Sequence, residues 1–267
     1  TLLAALSWVP WAWLAWLQAD AALLAAVWAL QFFSGHPQFL LINAFAMALW
    51  AAALRPRLRL WMRLASGACG AMALAAVQWI PTLEFLRGSN RSGWPAEFTA
   101  SYSLDPSALR MWLWPGLLGT PLGGDWSGAV SVFYESGGVW LGITALVLAS
   151  CGLARGRLRL GAVLLMATGL LLALGGNGPL RVLLSLPGFS YLRTPSRWSF
   201  LVLWGLWLLT GSGLWAMRRR AAVLALLPLV VIAELVVWDC VFLSYQDPAP
   251  FIAPNAMVAS RLAGLAS

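Results

Sequence analysis

An all-α, polytopic bundle embedded in a membrane is the fold class this sequence predicts, on three observations. Of the 267 residues, 61% are hydrophobic and only 10% are charged, whereas soluble domains carry about 25% charged residues. The apolar residues are gathered into long runs, and the basic residues stand between those runs. A soluble fold of this size must turn much of its surface to water and has too little polar surface here to do so. A bilayer accepts that apolar surface.

Eight apolar segments follow in order, at about 2–17, 21–34, 38–54, 64–83, 138–154, 160–174, 198–217 and 221–240. A vertical span takes roughly 20 residues, with a range of about 17–25. Gly35, His36 and Pro37 split the second and third segments. They form either two spans or one broken helix, so seven or eight spans are expected. The whole chain, 1–267, reads as a single transmembrane domain, and 84–137 as a long loop within it. Thr1 already stands in an apolar run without a basic n-region, so no cleavable signal peptide is read here, and the chain is expected to be part of something longer at both ends.

The charge pattern orients the bundle. The net charge is +8 and every basic residue is Arg. Clusters follow the third segment (Arg55, Arg57, Arg59, Arg63), the fifth (Arg155, Arg157, Arg159) and the seventh (Arg218, Arg219, Arg220). With alternating spans all three fall on one side, which the positive-inside rule makes cytoplasmic. The expected location is a cytoplasmic (inner) membrane, multi-pass, with loop 84–137 outside. Membrane lipid is the expected partner. Basic clusters between apolar runs are a topology signal here and not a nucleic-acid footprint.

Other chemistry is thin. Cys69, Cys151 and Cys240 show no paired or metal-type spacing and read as small core residues. A single histidine builds no zinc site. No metal and no cofactor is expected. The eighteen Trp suit interfacial anchoring and packing. Asp105 before Pro106 is a helix start, a capping carboxylate followed by proline at the first helical position. The stretch from Pro106 to Leu118 is too short to span and is expected to lie on the outer leaflet. The Gly/Pro-rich turn that follows lacks the lysine of a phosphate-binding loop.

Three places carry polar chemistry on the outer side. In Arg193-Thr194-Pro195-Ser196-Arg197, Thr194 caps a helix that Pro195 begins, so free N–H groups and two guanidiniums face outward. Two readings stand: a phosphate or pyrophosphate site, or arginines snorkelling to headgroups. Between Gln78 and Trp94, Glu84 and Arg87 pair on one helix face or Glu84 meets substrate, and Arg91 stays open. His36 sits in a break of an apolar stretch and is either a hydrogen-bonded turn residue or a cavity contact. Glu234 and Asp239 lie in or near the last segment with no partner that the sequence names.

Four stretches in order resemble the bacterial YfhO-like membrane proteins over essentially the whole chain. They are Ser34-Gly35-His36-Pro37-Gln38, Gln78 to Arg91, Ala100-Ser101-Tyr102-Ser103-Leu104 with Pro106, and Pro187-Gly188-Phe189 to Arg197. The resemblance implies a fold related to GT-C glycosyltransferases, which take a sugar from a polyprenyl-phosphate carrier on the outer membrane face. It also implies that the acidic catalytic loop precedes Thr1, so no catalytic residue is assigned. Arg193, Arg197 and Thr194 would hold the carrier phosphate, and His36, Glu84, Arg91 and Tyr102 would line the same cavity. The rival functions are a lipid or sugar transporter or flippase, and a non-catalytic assembly protein of the cell envelope.

Overall fold

The computed structural model describes residues 2–53, 58–89, 95–114, 117–119, 133, 140, 142–155, 158–179, 181–185 and 194–242. Every regular element among them is a helix, as the apolar periodicity predicts. The α-helices are α1 (Leu2–Ser7), α2 (Val9–Leu17), α3 (Ala21–Phe33), α4 (Pro37–Ala53), α5 (Leu58–Leu74) and α6 (Ala76–Arg87). They continue as α7 (Ala96–Ala100), α8 (Ile143–Arg155), α9 (Arg159–Ala173), α10 (Ser199–Ala216) and α11 (Ala221–Phe242). Short 3₁₀ turns occupy Pro106–Trp112, Gly175–Asn177, Arg181–Ser185 and Pro195–Trp198.

Local chemistry explains most of the ends. Pro10 lies in the first turn of α2, and its missing N–H breaks the helix after Ser7. Asp20 begins α3, its carboxylate accepting the Leu23 N–H at 2.9 Å. Gly35, at φ +83°, turns the chain between α3 and α4. These interruptions shorten the helices below what seven or eight spans require. Among the described residues only Pro195–Ala216, 22 residues, is long and apolar enough to cross a membrane. A second qualifies if α5 and α6 are taken together, and these are bent by 77°. The other apolar helices run 10–17 residues, with α11 counted over its stretch Ala221–Val237, at most about 26 Å at 1.5 Å per residue.

The stretch after Asp105 also differs from expectation. Asp105 caps it, accepting the Ser107 N–H at 2.7 Å. But the helix is a seven-residue 3₁₀ turn. It does not lie free on a surface: Ala108, Met111 and Trp112 are buried in protein, while Leu113 and Trp114 are exposed.

Residues Thr1–Ala225 make one compact unit and Leu226–Ser267 a second. In the second, α11 carries Pro228 inside the helix, and Leu229, Ile232, Leu235 and Val237 are exposed. The core of the first is rich in aromatic side chains. Trp16, Trp28, Phe39, Ile42, Met47, Leu165, Leu201 and Trp204 are all buried. Trp13 meets Trp16 and Trp50 edge-on, each at 5.9 Å between centroids, and Phe39 meets Phe200 at 5.0 Å, a favourable arrangement of ring quadrupoles.

Glycines set the helix crossings. A Cβ on Gly169 would strike Leu201 and the Trp198 carbonyl, and one on Gly205 would strike Met166 and the Ala162 carbonyl. Helices α9 and α10 therefore run antiparallel in backbone contact. Helix α4 reaches Thr194 through Gln38 near its start, and its Trp50 lies on Gly161 near its end. It is thus parallel to α10. One end of the bundle collects the start of α4, the end of α9 and the start of the long helix. The opposite end collects Arg159 and Arg218 to Arg220, all exposed.

Candidate functional site

Four chain segments meet at the first of these ends. Leu104 donates its N–H to the Ala173 carbonyl at 2.9 Å, fastening the loop after α7 to the end of α9. The Gly176 N–H donates to Ser103 Oγ at 2.8 Å, and Asn177 Nδ2 to the Leu104 carbonyl at 3.2 Å. Gly175 sits at φ +46°, where a side chain would also collide with Ser103 and Pro195. This turn must be glycine to let the loop and the long helix close together.

The start of the long helix is built into this joint. Ser196 donates its N–H to the Tyr102 carbonyl at 3.2 Å, and Arg197 donates its N–H to the Thr194 carbonyl at 3.1 Å. The Thr194 side chain makes no capping bond. Thr194, Pro195 and Ser196 are buried. So these first-turn donors face protein, not an open anion cradle as the sequence suggests. The reason is a loop more than 90 residues away in sequence, which no local pattern reveals.

Beside this joint stands the Arg197 guanidinium. Its Nη1 donates to Gln38 Oε1 at 2.8 Å, and Gln38 Nε2 donates to the Thr194 carbonyl at 3.2 Å. Arg197 also stands over the Phe39 ring, 5.9 Å from its centroid, within range of a cation–π contact. The His36 ring meets the same Phe39 edge-on at 5.9 Å. His36 and Arg197 therefore both meet the Phe39 ring.

The other sequence candidates fare differently. Tyr102 enters the joint through its backbone, and its ring packs on Phe98 at 5.6 Å. Glu84 is exposed on α6, a helix with no buried residue, and no described contact brings it to Arg197. Arg193 and Arg91 lie outside the described residues. Among the described residues no three of His, Cys, Asp and Glu group as metal ligands.

Sequence reasoning passed over two polar features. Gln38 was visible only as the polar residue behind Pro37 at the head of an apolar run. The second feature is a buried chain in the first four helices. Trp13 Nε1 donates to Asn43 Oδ1 at 3.1 Å, Asn43 Nδ2 to Gln31 Oε1 at 3.1 Å, and Gln31 Nε2 to the Ala5 carbonyl at 3.0 Å. Gln31 and Asn43 are fully buried. The chain ties α1, α2, α3 and α4 together beside the break that Pro10 causes.

Electrostatics outside the bundle are simple. Bonds from the Ser107 hydroxyl and then the Ser107 N–H hold the Asp105 carboxyl below its ordinary value, with Arg110 adding to the effect. Thr99 Oγ1, Ser196 Oγ and Ser199 Oγ are buried hydroxyl oxygens without a partner. No family model matches this chain, and neither a curated protein nor a solved structure does.

Proposed function

We propose that this chain is the membrane-embedded part of a bacterial envelope protein of the GT-C-like, YfhO-like kind, and that its outer end binds the phosphate of a polyprenyl-phosphate-linked sugar. The observation that carries the reading is Arg197, a guanidinium bonded to Gln38 at the head of the apolar helix Pro195–Ala216. Arginine matches phosphate oxygens through planar paired donors. His36 flanks the same ring, and Arg193, four residues before Arg197 in sequence, would add a second cation.

Three further points support membrane embedding. Large apolar side chains are exposed on many helices, among them Leu17, Val77, Phe85, Val147 and Trp215, a surface that water disfavours. Pro195–Ala216 is long and apolar enough to cross a membrane. The exposed arginines Arg159 and Arg218 to Arg220 cluster at the end away from Arg197, the polarity that positive-inside insertion produces. The helices too short for a vertical span would then cross as broken elements, buried in protein at their breaks.

A non-catalytic assembly protein is the second reading. The closed start of the long helix favours it, since the Ser196 N–H already meets Tyr102. Binding separates the two. The chain in lipid nanodiscs is expected to bind farnesyl phosphate, with farnesol as the uncharged control. Arg197→Ala should lower the affinity on the order of tenfold or more. Equal binding of phosphate and alcohol, or an unaffected Arg197→Ala variant, refutes the phosphate reading.

A further inference from the structure

We infer that Gln38 is the positioning residue of the phosphate site: it sets the Arg197 guanidinium in place without adding negative charge. The inference rests on the phosphate reading and extends it to a residue on another helix.

The hydrogen-bond chemistry allows one orientation. Arginine has only donors and a backbone carbonyl only accepts. The amide of Gln38 must therefore turn its oxygen to Arg197 Nη1, at 2.8 Å, and its nitrogen to the Thr194 carbonyl, at 3.2 Å. Both ends of one buried side chain are engaged, and Gln38 is only 7% exposed. The amide is thus a rigid bridge between the start of α4 and the start of the long helix. Phe39, the next residue, lies under the guanidinium. Two consecutive residues of α4 fix the bonded edge and the face of the Arg197 group.

The choice of residue type matters. Glutamate would reach the same Nη1 but would bring a full negative charge beside it and turn an acceptor oxygen to the Thr194 carbonyl, where glutamine donates. Such a charge partly cancels the guanidinium as seen by a phosphate and competes for the same donors. Leucine would fill the volume but release the guanidinium and leave the Thr194 carbonyl without the amide. Glutamine alone of these three orients the cation and leaves its charge intact.

The test uses the full chain in phosphatidylcholine nanodiscs and farnesyl phosphate as probe, with affinities normalised to wild type at each pH. Gln38→Glu is expected to weaken binding on the order of tenfold at neutral pH. The loss should shrink as the pH falls into the range where a carboxyl protonates, about 4 or lower beside an arginine. Gln38→Leu is expected to weaken binding without any such recovery. Thermal unfolding followed by tryptophan emission checks that each variant folds. Should Gln38→Leu not fold, the pH profile of Gln38→Glu decides alone. If Arg197→Ala binds farnesyl phosphate like wild type, the phosphate reading itself falls. If Arg197→Ala loses binding while Gln38→Glu binds like wild type at every pH, the reading stands and the role of Gln38 is overturned.

Discussion

Asn43→Leu tests the buried polar chain that ties the first four helices. Asn43 is fully buried and is bonded on both sides, to Trp13 Nε1 and to Gln31 Oε1, at 3.1 Å each. Leucine keeps the branched outline of asparagine, so no cavity enters the change, and crowding by its larger methyl groups adds to the loss reckoned next. Gln31 Oε1 then loses its partner at a site with no exposure, at about 1–3 kcal/mol. Trp13 Nε1 loses its acceptor as well, but its part-buried ring lowers that cost to about 1 kcal/mol. Leucine returns about 1 kcal/mol through added apolar burial. The expected net loss is about 2 kcal/mol. SDS titration of the protein in mixed micelles, followed by tryptophan emission, measures it. The double variant Gln31→Leu/Asn43→Leu should cost less than the two single changes summed, because both ends of one bond are gone. A single-variant cost below about 0.5 kcal/mol with additive behaviour would refute the reasoning.

Two other outcomes follow from the packing and the cap. Gly213→Ala places a Cβ against the Leu148 carbonyl, whereas Gly211 on the same helix faces open space. The first change should destabilise by about 3 kcal/mol and the second should stabilise by up to about 1 kcal/mol, both read in the same SDS titration. Asp105, held below its ordinary value chiefly by Ser107, supports its turn at all pH values above the usual carboxylate range. That support should vanish as the pH falls through its lowered value. Amide exchange at Ser107, corrected for its intrinsic pH dependence, should rise there in the wild type and show no such step in Asp105→Asn.

Local signals made several elements legible. The apolar run at 21–34 became α3 at Ala21–Phe33, and the run at 38–54 became α4 at Pro37–Ala53. Gly35 and Pro37 end and begin helices through their own backbone limits. Asp105 caps as its type predicts, because a cap involves residues two positions apart. Span count was less legible. Hydropathy averages over a window and reads through a break such as Trp8 to Pro10, or through the 77° bend between α5 and α6.

The candidate site shows the same division. The sequence by itself determined the helical class, most helix limits, the placing of arginines between apolar runs, and the choice of His36, Thr194 and Arg197 as candidates. These depend on composition and on neighbours a few positions apart. Only the tertiary structure decided that Tyr102 closes the start of the long helix, that Gln38 holds Arg197, and that Asn43 reaches both Gln31 and Trp13. A polar residue in an apolar run looks the same in sequence whether it is alone or paired. Its partner lies up to 159 positions away, and only the packing of helices α4, α9 and α10 brings the two within hydrogen-bond distance.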